Sequence, residues 1–117
     1  IGNNHHVDPF PGEDFQLFEQ DLPGSNTAGF NAAKISALPL ETCLTINNSW
    51  GYNATDSAYK PSETLIEYLV NANDLGANLL LNVGPLPNGQ IHPEQKTRLL
   101  QIGSWLKRRQ HGLEMRK

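Results

Sequence analysis

Asn47-Asn48-Ser49-Trp50-Gly51-Tyr52 gathers two amides, a hydroxyl, an indole and a phenol within six positions. Amides and hydroxyls pair with the hydroxyls of a sugar, and aromatic faces stack on the C–H face of its ring. A site for such a ligand needs a few convergent polar groups beside an aromatic wall. The same residues also make an ordinary loop around a packed tryptophan, and from this stretch alone that is the simpler account. Two further groups repeat the amide signature: Asn3-Asn4-His5-His6 near the start and Asn82-Val83-Gly84-Pro85 later on. Asn at a strand end also satisfies backbone groups of the following turn, and for Asn82 that structural role is expected.

Glycosidic bonds are cleaved by a pair of carboxyl groups, one of them a general acid. Glu13, Asp14 and Glu19 lie close together between Pro11 and Pro23. Asp14 reads as a solvated or capping residue. Glu19 stands between Phe18 and Gln20, an aromatic setting of the kind that suits a general acid. Glu41 opens an apolar run, at the end of that run away from the amides. His5 and His6 are candidates for hydrogen bonds to a sugar hydroxyl or to a carboxylate. As metal ligands they lack companions, because neighbours on extended backbone point to opposite faces and no Cys or acidic residue stands at ligand spacing. No metal or other cofactor is expected.

Elements must place these groups. Cys43-Leu44-Thr45-Ile46 reads as a buried strand over 42–47 that delivers Asn47 to Tyr52 at its end. Asn78-Leu79-Leu80-Leu81-Asn82-Val83 is a near-continuous apolar strand, suited to a parallel sheet covered on both faces. Residues 1–8 read as the tail of a strand that breaks into a polar turn. Between the last two strands, Pro61-Ser62-Glu63 opens a helix with Leu65, Ile66, Leu69 and Val70 at helical spacing, extended by Leu75 and stopped at Gly76. A second helix opens at His92-Pro93-Glu94, with Pro at its first position. Its stripe is Leu99, Leu100, Ile102 and Leu106, with Trp105 beside it, and it is expected to end near Lys107 to His111. Phe15, Leu17 and Phe18 fit neither period, so 13–20 reads as a long loop with one helical turn at most. Residues 25–39 carry no predicted element.

Three strands alternating with two helices imply βαβ units. They cannot close a barrel, which takes about 250 residues. The expected fold is therefore α/β: the C-terminal portion of a (β/α)8-like, TIM-type barrel, its last three strands and two helices. Composition agrees. The 117 residues allow one domain at most, and 38% apolar content is low for a self-contained one. The chain begins with Ile1, so the true start, and any secretory leader, is expected upstream. Net charge is −3 and the charges are dispersed, which points away from nucleic acid. No apolar run reaches membrane-spanning length, so no membrane partner is expected. Lys107-Arg108-Arg109 sits where a helix should end and cations are favourable. The single cysteine, Cys43, reads as a buried, inert thiol. Asn47 and Asn53 match the N-glycosylation pattern; Asn47 abuts a buried strand, whereas Asn53 is an acceptor only in a secretory eukaryote.

At these residues the chain resembles the alpha-L-fucosidases of glycoside hydrolase family 29. The resemblance is carried by Gly12 to Gln20, Glu41 to Asn53, Leu65-Ile66 with Leu69-Val70, Gly76 to Pro85 with Gly89, and Arg98 to Leu106. These motifs occur in the family's order and cover most of residues 1–106. The resemblance implies a partial glycosidase catalytic domain over 1–117, with 107–117 a divergent basic tail. It implies a retaining, metal-free release of terminal alpha-L-fucose from fucosylated oligosaccharides or glycoconjugates. The nucleophile would be an Asp on an earlier strand, outside this chain. Glu19 is the matching acid/base candidate and Glu13 the runner-up. Trp50 matches an aromatic wall of the fucose pocket, and His5, His6 and Asn47 are the other candidate sugar-binding residues. Many members have Arg and an aromatic where this chain has His5-His6, a fixed charge replaced by a conditional one. Family membership implies a secreted, periplasmic or lysosomal setting. The alternatives are a non-catalytic fucose-binding relative and an inactive structural fragment; the isolated chain, lacking the nucleophile, is expected to be inactive.

Overall fold

A computed structural model describes residues 1–4, 10–29 and 34–115. His5 and His6 lie outside the described residues. The chain forms two compact units. The first takes the described residues of Ile1–Thr45 together with Glu67–Asn82, and the second takes Ile46–Ile66 and the residues from Val83 onward.

The first unit holds a four-stranded sheet. Strands β1 (Gly2–Asn4), β2 (Phe15–Glu19), β3 (Leu40–Thr45) and β4 (Ala77–Asn82) lie side by side in chain order, and every adjacent pair is parallel. The sheet therefore has one strand more than the three expected, and β2 replaces the predicted loop. The cause is Gln16. It is fully buried, and its carboxamide serves as a surrogate backbone: Oε1 accepts from Ser36 N–H at 2.7 Å and Nε2 donates to the Lys34 carbonyl at 3.3 Å. A polar residue thus occupies a core position, with Phe18 the next on that face. The alternation exists but is not an alternation of polarity. Gln20 then leaves the strand at φ 62°, its N–H donating to the Cys43 carbonyl at 2.8 Å.

Phe18, Cys43, Leu44, Ala72 and Ala77 form the apolar interior of this unit, with Thr42 and Thr45 buried among them. Burial pushes the Cys43 thiol up, which suits an inert core residue. β3 and β4 begin two residues and one residue earlier than predicted. β1 and β4 are the outer strands of the sheet, and Leu80, in the middle of β4, is 53% exposed.

Helix α1 (Ser62–Asp74) begins and ends as predicted, and Gly76 at φ 75° makes the left-handed stop. Its most buried residues are Leu65 and Ala72, two turns apart; Leu75 is exposed and does not extend the stripe. Helix α2 (Pro93–Met115) opens with His92 as its N-cap, Nδ1 accepting from Glu94 N–H at 3.1 Å. It runs on past Gly112, beyond its predicted end. One glycine costs a helix only about 1 kcal/mol, and no proline follows to break it. Ile102 is buried, whereas Leu100 and Leu106 are exposed, so only part of the predicted stripe faces the interior.

Candidate functional site

In a parallel sheet all strands deliver their next residues to one edge, and there two of the candidate groups meet. Asn4 ends β1 and Glu19 ends β2. Asn4 Nδ2 donates to Glu19 Oε2 at 2.9 Å. Glu13 lies two residues before β2, at the opposite edge. There Asp14 N–H donates to the Ile1 carbonyl at 2.7 Å, and the Asp14 carboxylate pairs with the Ile1 ammonium. The five residues of β2 alone separate the two edges by about 13 Å. Glu13 is 8% exposed, and neither carboxyl oxygen meets a hydrogen-bond partner among the described residues.

The second unit carries the amide and aromatic cluster. Residues 47–60 have no regular structure, so their polar backbone must be satisfied by side chains. Asp56 does most of this. Its Oδ2 accepts from Asn48 N–H at 2.8 Å and from Ser49 Oγ at 2.7 Å, and its Oδ1 accepts from Ala58 N–H at 3.1 Å. Asn47 is buried, its Oδ1 accepting from Ser49 N–H at 3.3 Å. Asn53 Oδ1 accepts from both the N–H and the hydroxyl of Thr55. The loop is closed onto Lys60, whose N–H donates to the Ile46 carbonyl at 2.8 Å and whose Nζ donates to the Asn47 carbonyl at 3.2 Å. This scaffold presents Trp50 at 42% exposure and Tyr52 at 51%.

Behind the loop lies a half-open cavity of about 550 Å³, lined by Asn47, Tyr52, Asp56, Tyr59, His92 and Arg98 among others. Trp50 is not among its lining residues. Tyr59 stacks on His92 with ring centroids 5.2 Å apart. Arg98 lies over the Tyr59 ring, donates through Nε to the Lys60 carbonyl at 3.2 Å and pairs with Glu94 at 2.6 Å. Gly84 approaches the loop from the turn after β4: a Cβ placed on it would lie 2.7 Å from the Gly51 carbonyl oxygen. Its N–H donates to buried Gln95 Oε1 at 3.1 Å.

Sequence reasoning missed Asp56, Gln95 and the Tyr59–His92–Arg98 group. Asp56 had a readable signal, since Asx residues spaced through a polar loop commonly bond backbone N–H groups nearby. Gln95 and Arg98 act across many residues, and no local pattern announces them.

The Ser49 hydroxyl holds the Asp56 carboxyl below its usual range, against a smaller opposing effect of desolvation, and the N–H groups of Ala58 and Asn48 add to it. A folded-state pKa below the unfolded one means stabilisation that is present above the ordinary carboxylate pKa and is lost as pH falls through the lowered value. Asp56→Ala is therefore expected to speed amide exchange at Asn48 and Ala58 several-fold at neutral pH. In the unsubstituted protein the same acceleration, corrected for intrinsic exchange, appears only under acid conditions below about pH 3.9. Unchanged protection in Asp56→Ala at neutral pH would remove Asp56 from this role.

Among the described residues, no group of three His, Cys, Asp or Glu side chains is placed to hold a metal ion. No described helix is long and apolar enough to cross a membrane.

Comparison with known proteins adds to this geometry. The family model described as alpha-L-fucosidase matches residues 1–111. Human plasma alpha-L-fucosidase is 46% identical over 70 residues, which are 57% of this chain and 15% of that protein. The alpha-L-fucosidase of Dictyostelium discoideum is 40% identical over 79 residues, 66% of this chain and 17% of that protein. Among solved structures, the Thermotoga maritima alpha-fucosidase in complex with fucose superposes with a TM-score of 0.66 at 36% identity, covering 84% of this chain and 20% of that one. The chain thus spans less than a fifth of the length of these two curated relatives.

Proposed function

The chain belongs to the alpha-L-fucosidase family, and from that membership we propose that the protein it forms part of is a retaining glycoside hydrolase acting on terminal alpha-L-fucose. The observation that carries this is the family match over nearly the whole chain, residues 1–111. The Thermotoga relative was solved with fucose bound, which supports a fucosyl substrate here.

The four parallel strands are the C-terminal portion of a (β/α)8-type barrel. Two features support this. Parallel sheets are normally covered on both faces, yet Leu80 is exposed in mid-strand. Among the described residues, β1 and β4 each pair with one neighbouring strand only, and further barrel strands would pair with their outer sides. Barrel enzymes act at the carboxyl ends of their strands. Glu19 ends β2 and Glu13 precedes it, so Glu19 takes the acid/base role.

In the first step the Glu19 carboxyl gives its proton to the glycosidic oxygen as the bond from C1 to that oxygen breaks. An aspartate from an earlier strand, outside these residues, forms the new bond to C1. In the second step Glu19 takes a proton from water, and the water oxygen displaces the aspartate. Two inversions give net retention. Trp50 forms an apolar wall for the sugar, and Asn47 and the His5-His6 pair bind or orient hydroxyls.

The test is to follow the complete protein with an alpha-L-fucoside by proton NMR. Alpha-L-fucose is expected as the first anomer, with the beta form growing in only by mutarotation. Beta-L-fucose appearing first would make the enzyme inverting. Binding of fucose without release from any alpha-L-fucoside would make the protein a non-catalytic relative.

A further inference from the structure

We propose that Asn4 is a positioning residue for Glu19: its carboxamide reaches from the end of β1 to the end of β2 and fixes the carboxyl in the orientation from which it moves a proton. This rests on the assignment of Glu19 as the acid/base group.

The register makes the contact possible. Asn4 is level with Leu17 in the parallel pairing, and Glu19 lies two residues beyond Leu17. Residues two apart on a strand share a face, so Asn4 and Glu19 are diagonal neighbours on one face of the sheet. The bond from Asn4 Nδ2 to Glu19 Oε2 is 2.9 Å long and joins residues 15 apart in sequence. The polarity of the amide follows from the same contact. Turned round, it would set Oδ1 against a carboxylate oxygen, acceptor against acceptor. Asn4 Oδ1 is buried and has no partner among the described residues.

A neutral donor fits the chemistry. A carboxyl that alternates between acid and base needs a neighbour compatible with both states. An amide N–H bonds a carboxylate oxygen and also the carbonyl-type oxygen of the protonated acid. A lysine or arginine in the same place would favour the ionised state alone.

The test uses the complete enzyme, one aryl fucoside and a disaccharide. The second sugar of the disaccharide is a poor leaving group, and its oxygen requires protonation. A 2,4-dinitrophenyl group departs without it. Glu19→Gln supplies the reference, read as kcat/KM, which reports the first step: a large loss on the disaccharide and a small one on the dinitrophenyl substrate. Asn4→Ala is expected to follow the same order at smaller size, on the order of tenfold in kcat/KM on the disaccharide, about what one hydrogen bond to a charged group supplies. Its loss of kcat/KM on the dinitrophenyl substrate should be slight. Asn4→Leu, close in size but with neither the donor nor a new charge, should lose at least as much, and it carries the test if the alanine variant does not fold. An equal loss on both substrates, or no loss, with Glu19→Gln behaving as stated, overturns the role of Asn4 and leaves Glu19 in place. Absence of leaving-group dependence in Glu19→Gln itself overturns the assignment underneath.

Discussion

Glu19→Gln in the complete protein is expected to lower turnover of a natural fucoside by about 10²- to 10⁴-fold, the usual contribution of a positioned general acid–base group. Glutamine keeps the size and can still bond the neighbouring amide, but it cannot give or take the proton. With an activated leaving group the first step proceeds without protonation, so the fucosyl-enzyme accumulates and its hydrolysis becomes limiting. Added azide should then restore turnover, because an anionic nucleophile needs no base. Its product should be fucosyl azide of retained, alpha configuration. Recovery of beta-fucosyl azide would place the substituted residue in the nucleophile's role instead. Glu13→Gln is the matched comparison. That residue sits at the amino end of β2, buried and away from the edge where Glu19 and Asn4 meet. It should show no azide rescue; rescue in Glu13→Gln and not in Glu19→Gln would transfer the acid/base role.

These assignments show where sequence carried information and where it did not. β3 and β4 were legible because each is a run of apolar or β-branched residues wherever it is buried. α1 was legible through its spacing and its glycine stop. β2 was hidden because a buried glutamine stands where an apolar side chain signals a strand, and its bonds to Lys34 and Ser36 lie about 20 residues away. The predicted end of α2 failed for the opposite reason. Gly112 looked like a stop, but a stop also needs the left-handed turn that Gly76 adopts, and α2 continues through. The candidate site followed the same division. Residue types at and after strand ends made Glu19, Trp50 and Asn47 candidates. The groups that hold them, Asn4 for Glu19 and Asp56 and Gln95 for the loop and turn, act through side-chain geometry that no local period encodes.

Gly84→Ala, in the turn after β4, is expected to disturb the loop over 47–60 more than a methyl added at Gly51 within that loop. Gly84 has an ordinary φ, so the requirement is space and not backbone freedom. Its added Cβ would lie 2.7 Å from the Gly51 carbonyl oxygen and 2.9 Å from the Gly51 carbonyl carbon, both backbone atoms. Backbone cannot rotate away as the end of a side chain can, so one of the two segments must shift. Gly84 resists, because its N–H is bonded to buried Gln95 at 3.1 Å on the first turn of α2. The displacement therefore falls on Gly51 and on its neighbours Trp50 and Tyr52. Overpacking of this kind costs about 1–3 kcal/mol, to be read from denaturant unfolding of the complete protein. If Trp50 is the apolar wall proposed above, fucose affinity should weaken with it. Gly51→Ala is the control. A Cβ at that position meets nothing within 4 Å, and its φ is outside the left-handed region. It should change stability by no more than about 0.5 kcal/mol. Equal losses from the two substitutions would mean that the loop is sensitive to any added methyl. A loss confined to Gly84 ties the geometry of the Trp50 wall to the turn after β4 and, through Gln95, to the start of α2.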